Sequence, residues 1–245
     1  HSQTAPTLMT NPLLQKWSTP FEMPPFEDIK AAHFPEAFNQ ALANHQDEIQ
    51  AIASQTQAPS FQNTLLALEA SGELLNQTSA LFFNLSASHT SPEIQAIERD
   101  MSPKLAAHSA AMFLNAALFE RINKLHQERT NLGLDAESIR LIERYHLDFV
   151  RAGANLKDKD RQTFANYSEK LASCFTQFSQ NVLADEAAFC MVLTEADQLT
   201  GLPDFVKSAA KQLAKERGIE QHNAHAFTLS RSSITPFMTF SERRD

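Results

Sequence analysis

A mainly α fold, a multi-helix bundle with a short antiparallel β-ribbon near the C-terminal end, is predicted by three observations. Glycine is scarce, with 5 in 245 residues, and sheets need it for turns and bulges. Alanine, leucine, glutamine and glutamate are abundant, and these favour helix. Apolar residues recur every three or four positions along most of the chain, which is the helical period.

The elements follow in chain order. Residues 1–25 read as an extended N-terminal arm. Residues His1–Thr10 are polar and expected to be mobile, and a start at His1 suggests a processed, truncated or engineered terminus. Pro12, Pro20, Pro24 and Pro25 then exclude a helix. Trp17, Phe21 and Phe26 are expected to pin the arm to the body. Residues 26–189 read as the helical bundle. Phe34, Phe38, Leu42, Ile49 and Ile52 define a first helix face, and Pro59 interrupts it. Ser60 suits an N-cap for a helix to about Ser88, with Leu65, Leu68, Leu75 and Phe82 inward. Ser91, Pro92 and Glu93 form a further start signal, in which serine caps and proline takes the first helical position. Ile94, Ile97, Met101 and Leu105 follow, with a kink expected at Pro103. Leu118, Ile122 and Leu125 then lie on a helix closed by Gly133. Asp135 caps another, carrying Ile139, Ile142, Tyr145 and Phe149 to a stop at Gly153.

The longest helix is expected over about Lys157–Ala188. Its row Phe164, Tyr167, Leu171, Phe175, Phe178 and Val182 recurs about every 3.6 residues, so the row is expected to face inward. Residues 190–245 read as a ribbon-helix segment. Cys190–Leu193 and Ala226–Leu229 are two short strands, and a helix from about Pro203 to Arg217 ends at Gly218.

Several function classes are excluded or disfavoured. The net charge of −8 opposes a general nucleic-acid binder. No apolar run reaches the roughly 20 residues of a membrane-spanning helix. Glycines are too scattered for a phosphate loop, and no Gly-x-Ser-x-Gly elbow occurs. None of the 9 histidines is followed by glutamate, so the His-Glu-x-x-His pattern of zinc hydrolases is missing. His222 and His225 sit three apart beside a strand start and read as two solvated loop histidines. Cys174 reads as a core thiol, and two free thiols are preferred over a disulfide with Cys190. Lys207, Lys211 and Lys215 form a stripe on an exposed helix face. Leu81, Phe82 and Phe83 read as bundle packing. No catalytic, cofactor-binding or metal residue is assigned.

Four stretches carry a resemblance. They are Phe61–Leu75 (FQNTLLALEASGELL), Leu132–Ile142 (LGLDAESIRLI) with Phe149–Ala154 (FVRAGA), Leu199–Phe205 (LTGLPDF) with Ala214–Gly218 (AKERG), and Pro236–Asp245 (PFMTFSERRD). In this order they resemble the N-terminal region of bacterial peptidyl-dipeptidases (dipeptidyl carboxypeptidases). These belong to the thimet oligopeptidase-like zinc metallopeptidases, which also include oligopeptidase A and neurolysin. Ser232 departs from the pattern, since relatives often carry proline after the arginine.

The resemblance implies a parent with two mostly helical lobes flanking a deep channel. A zinc-bound water there releases C-terminal dipeptides, with the motif glutamate as general base. The family's His-Glu-x-x-His and third zinc ligand, a glutamate, lie beyond Asp245, so none carries over. This chain would be a non-catalytic part that helps to wall the channel. It would be inactive and zinc-free alone, with short peptides and the catalytic C-terminal region as the parent's partners. Without that region, exposed apolar surface should drive self-association. The alternative is a stand-alone helical binding or scaffold module without enzymatic activity.

Overall fold

The computed structural model describes residues Thr10–Asp245, so the expectation for the residues before Thr10 lies outside the described part. The chain divides into two compact units, one extending to Thr176 and one covering Gln177–Asp245.

The first unit opens with the proline-rich arm. It forms two single 3-10 turns, Pro12–Leu14 and Pro20–Glu22, because proline presets the backbone for a turn but cannot continue a ladder. Leu13 is buried, and the indole Nε1 of Trp17 donates to the Pro12 carbonyl at 2.9 Å. Phe21, expected as an anchor, is instead 98% exposed and adopts a left-handed φ of 58°. Phe26 is also exposed. Leu13 and Trp17, rather than the two phenylalanines, tie the arm down.

Helix α1 spans Phe34–Ala53. Next come a π-helical turn, Phe61–Leu66, and α2, Ala67–Ala70. Ser60 caps the turn reciprocally with Asn63: its Oγ accepts from the Asn63 amide, and the Asn63 Oδ1 accepts from the Ser60 amide. The single helix expected to Ser88 breaks at Gly72, whose φ is +72°, and resumes as α3, Glu73–Ser88. A Cβ at position 72 would stand 3.1 Å from the His45 ring, so glycine serves both the turn and the close approach. Ser91 caps α4, Pro92–Phe113. Asn115 caps α5, Ala116–Glu128, and Asp135 caps α6, Ala136–Arg151.

These helices enclose adjoining cores. One holds Phe34, Phe38, Phe82, Ile94 and Met101, with Leu13 of the arm. Another holds Ile49, Ile52, Leu118, Ile122 and Phe149. A smaller one groups Phe61, Leu65, Leu125 and Ile142.

Helix α7, Asp158–Ala188, is the longest element. Its apolar row is not inward. In the first unit Phe164 is 36% exposed, Tyr167 62%, Leu171 52% and Phe175 66%. In the second unit Phe178 and Val182 are exposed as well. Periodicity fixed the row correctly but not the side to which it turns. On the side of α7 nearest α4, Arg161 and Ala165 are half-buried, while Gln162, Asn166 and Glu169 stay exposed as they line an open cavity with Ala107, Ala111 and Leu114.

In the second unit, β1 (Met191–Leu193) pairs antiparallel with β2 (His225–Phe227), Val192 facing Ala226. Helix α8, Asp204–Glu216, covers the ribbon, and Val206, Ala210 and Phe227 share a core with Leu199 and Leu202. Helix α9, Arg231–Phe240, was not anticipated from the sequence, since Pro236 lies inside it. Gly201 takes φ +85°, and a Cβ there would lie 2.3 Å from the Phe240 carbonyl oxygen. Only glycine lets the segment after α9 approach closely enough for the Glu242 amide to bond the Thr200 carbonyl at 3.1 Å.

Candidate functional site

The second unit contains a groove of about 520 Å³. Leu183, Phe205, Val206, Leu213 and Phe227 make it apolar. Thr228, Ser230, Ser232 and Ser233 place hydroxyls at one side, and Arg217 and Glu186 also line it. Its hydroxyls are bonded among themselves and to backbone. Ser233 Oγ accepts from the Thr228 amide at 2.9 Å, and Thr228 Oγ1 lies 3.1 Å from Ser230 Oγ. A nucleophilic hydroxyl needs a base within hydrogen-bond reach, and these contacts supply none.

The two close histidines are placed differently from each other. His222 is exposed in a turn, whereas His225 is buried in β2 with Nδ1 2.8 Å from the Asn223 carbonyl oxygen. The reading of both as solvated therefore fails for His225, which the strand turns inward. Cys174, expected in the core, is exposed on α7, and Cys190 is half-buried; both are free. Lys207, in the basic stripe, pairs with Asp204 at 3.0 Å. Of the apolar cluster in α3, Leu81 and Phe82 are buried and Phe83 is 38% exposed.

The titratable clusters of the first unit join residues far apart in sequence, so their pairing was not readable from spacing. His108 Nε2 on α4 lies 2.9 Å from His45 Nδ1 on α1, and His45 Nε2 lies 3.2 Å from Ser71 Oγ. Glu48 Oε2, one turn along α1, accepts from the Gly72 amide at 2.6 Å. Burial lowers the pKa of His45, with Glu48 opposing. Burial and the neighbouring His45 lower that of His108. A second pair joins α5 to α6: the His126 and His146 rings stack with centroids 3.8 Å apart. Burial and Arg129 hold His126 below its ordinary value against Glu143, and burial, His126 and Arg129 do the same for His146.

These depressed values have one consequence for stability. The unfolded chain takes up protons near the ordinary value of 6.5, before the folded chain does. The stabilisation is complete above that pH and is lost as pH falls through the lower folded values. The melting temperature is therefore expected to drop between about pH 7.5 and pH 5, the histidine range. Replacing His108 by glutamine and His146 by asparagine should flatten that drop. A double variant that keeps the whole drop would show that other groups cause it.

Arg121, on the buried face of α5, donates to Thr64 Oγ1 at 3.2 Å, the Gln57 carbonyl at 3.0 Å, Asn63 Oδ1 at 2.9 Å and the Gln55 carbonyl at 3.4 Å. This cluster is architectural. Tyr145 donates its hydroxyl to Glu69, and burial together with that carboxylate raises its pKa well above the usual tyrosine range. Among the described residues, no three His, Cys, Asp or Glu side chains converge closely enough to hold a metal ion. Among the described residues, no helix is long and apolar enough to cross a membrane.

No family model matches the chain. Individual relatives do. The dipeptidyl carboxypeptidase of Salmonella typhimurium is 39% identical over 214 residues, covering 87% of this chain and 32% of that protein. The dipeptidyl carboxypeptidase of Escherichia coli is 37% identical over 86% of this chain and 31% of its own length. Oligopeptidase A of Escherichia coli is 25% identical over 96% of this chain and 34% of its own length. The chain thus spans about a third of the length of the curated relatives it matches. Over that third its sequence is similar to the dipeptidyl carboxypeptidases and, at lower identity, to oligopeptidase A.

Proposed function

We propose that this chain is the N-terminal, non-catalytic part of a zinc-dependent peptidyl-dipeptidase. The parent releases C-terminal dipeptides from short peptides, and this part helps to wall the substrate channel. The observation that carries the reading is the 39% identity to a dipeptidyl carboxypeptidase over 87% of this chain but 32% of the relative. Zinc and its ligands are assigned to the remaining two thirds, and no chemical step runs through the residues of this chain.

Two proteins test this reading: the polypeptide that the gene encodes around this chain, and the 245-residue chain alone. Each is assayed for dipeptide release from a blocked tetrapeptide, and its zinc content is measured. The encoded polypeptide should release the C-terminal dipeptide and lose activity to a chelator. The chain alone should do neither and should hold no stoichiometric zinc. A gene product that lacks peptidase activity would favour a stand-alone binding or scaffold module.

Kept apart from its parent, the chain is expected to self-associate, because contiguous exposed apolar surface drives association. Sedimentation velocity over a hundredfold range of concentration should show mass rising with concentration. A constant monomer would count against it.

A further inference from the structure

Helix α7 leaves a row of large apolar side chains uncovered. Its first-unit turns present Arg161, Gln162, Asn166 and Glu169 toward the α4 cavity. Phe164, Tyr167, Leu171 and Phe175 remain exposed on the same helix. Single exposed apolar side chains are ordinary, but four large ones at spacings of three and four form a continuous strip, which marks an interaction surface. The same residues facing a core would need no explanation.

The charge around the strip argues about the occupant. Asp158, Asp160 and Glu169 alternate with Lys159, Arg161 and Lys170 along these turns, which is not the basic face that holds a helix to an acidic membrane surface. Relatives at 37–39% identity carry about two thirds of their length outside the matched region, so a large body of polypeptide is available as cover.

We infer that the Phe164–Phe175 row of α7 is the seat on which the remaining two thirds of the peptidase polypeptide packs, presenting an apolar helix face of its own. The inference rests on the reading of the chain as part of a longer peptidase. Helix against helix is the natural geometry, because side chains at three- and four-residue spacing form ridges that enter the grooves of a partner.

Cys174 provides a probe without substitution. It is exposed, one position before Phe175 and three after Leu171. The experiment measures maleimide labelling of Cys174, located by peptide mass spectrometry, in the 245-residue chain at low concentration and in the encoded polypeptide. Labelling should be at least tenfold slower in the encoded polypeptide. A Phe175→Glu substitution should restore fast labelling there and leave the melting temperature of the chain alone unchanged.

Dipeptide release together with equal labelling rates would overturn the seat while leaving the peptidase reading intact. Protection of Cys174 without dipeptide release would uphold the seat and sink the reading. Protection that disappears on dilution would make a second copy the occupant and overturn the inference. Protection that needs added lipid vesicles would overturn it in favour of a membrane surface.

Discussion

Replacing Arg121 by methionine is expected to destabilise the first unit by about 2–3 kcal/mol, because it leaves buried neutral acceptors without their donor. Arg121 is 7% exposed. All four of its acceptors are neutral: the carbonyls of Gln55 and Gln57, Asn63 Oδ1 and Thr64 Oγ1. Two of these belong to the connection between α1 and the π-helical turn, and two to the turn itself. The guanidinium therefore ties α5 to a loop that has little apolar content of its own. Methionine fills similar volume but donates nothing. Buried acceptors left unpaired cost about 1–3 kcal/mol each.

Asn63 is the node of the network. Its Oδ1 also accepts from the Ser60 amide, and its Nδ2 donates to the Ala58 carbonyl, so loss of Arg121 should loosen the cap as well. Arg121→Lys should recover only part of the stability, because an ammonium cannot spread its donors over the planar fork that reaches these positions. Urea denaturation followed by circular dichroism checks both variants. A methionine variant within about 1 kcal/mol of the wild type, on the scale of an ordinary exposed substitution, would remove the network from the list of what holds the unit together.

Helices were legible in this sequence wherever a cap and a period coincided. Ser60, Ser91 and Asp135 each accept the expected amide hydrogen bond. The rows of α1, α5 and α6 bury Phe38, Ile49, Leu118, Ile122, Ile142 and Phe149. What failed was the direction of an apolar face. On α7 the period is strong, but period alone cannot say whether a face meets this chain or other polypeptide. The same limit explains Phe21, which reads as an anchor only if all aromatics are assumed to pack. Arg121 was overlooked although a signal existed: a charged residue sits between Leu118 and Ile122 on the buried face of α5. The two histidine pairs could not have been read, since their members are 63 and 20 positions apart (His45–His108 and His126–His146). The absence of any His-Glu pair was readable at once, and the relatives' greater length now gives that absence a proposed place, in the two thirds that this chain does not span.

Phe82→Ala is expected to cost about 3–5 kcal/mol, the usual price of removing a fully buried aromatic side chain. Phe82 has no exposed surface. Its ring meets Phe34 at 5.1 Å and Phe38 at 5.3 Å between centroids, both edge-on, and the ring edge against a face adds to area burial. The three rings come from α1 and α3, with Leu13 of the arm and Met101 of α4 in the same cluster. A cavity here would be walled by four separate segments. Helices held by their own caps cannot collapse into it freely, so the loss should sit at the upper end of the range. The arm should respond first, because Leu13 would lose part of its socket. Limited proteolysis near Trp17 should accelerate in the variant before global unfolding does. Phe83→Ala, next in sequence but 38% exposed, should cost less, about 1–2 kcal/mol, since more than a third of its surface stays in water. Equal losses at positions 82 and 83 would mean that the apolar face of α3 does not point where the structure places it.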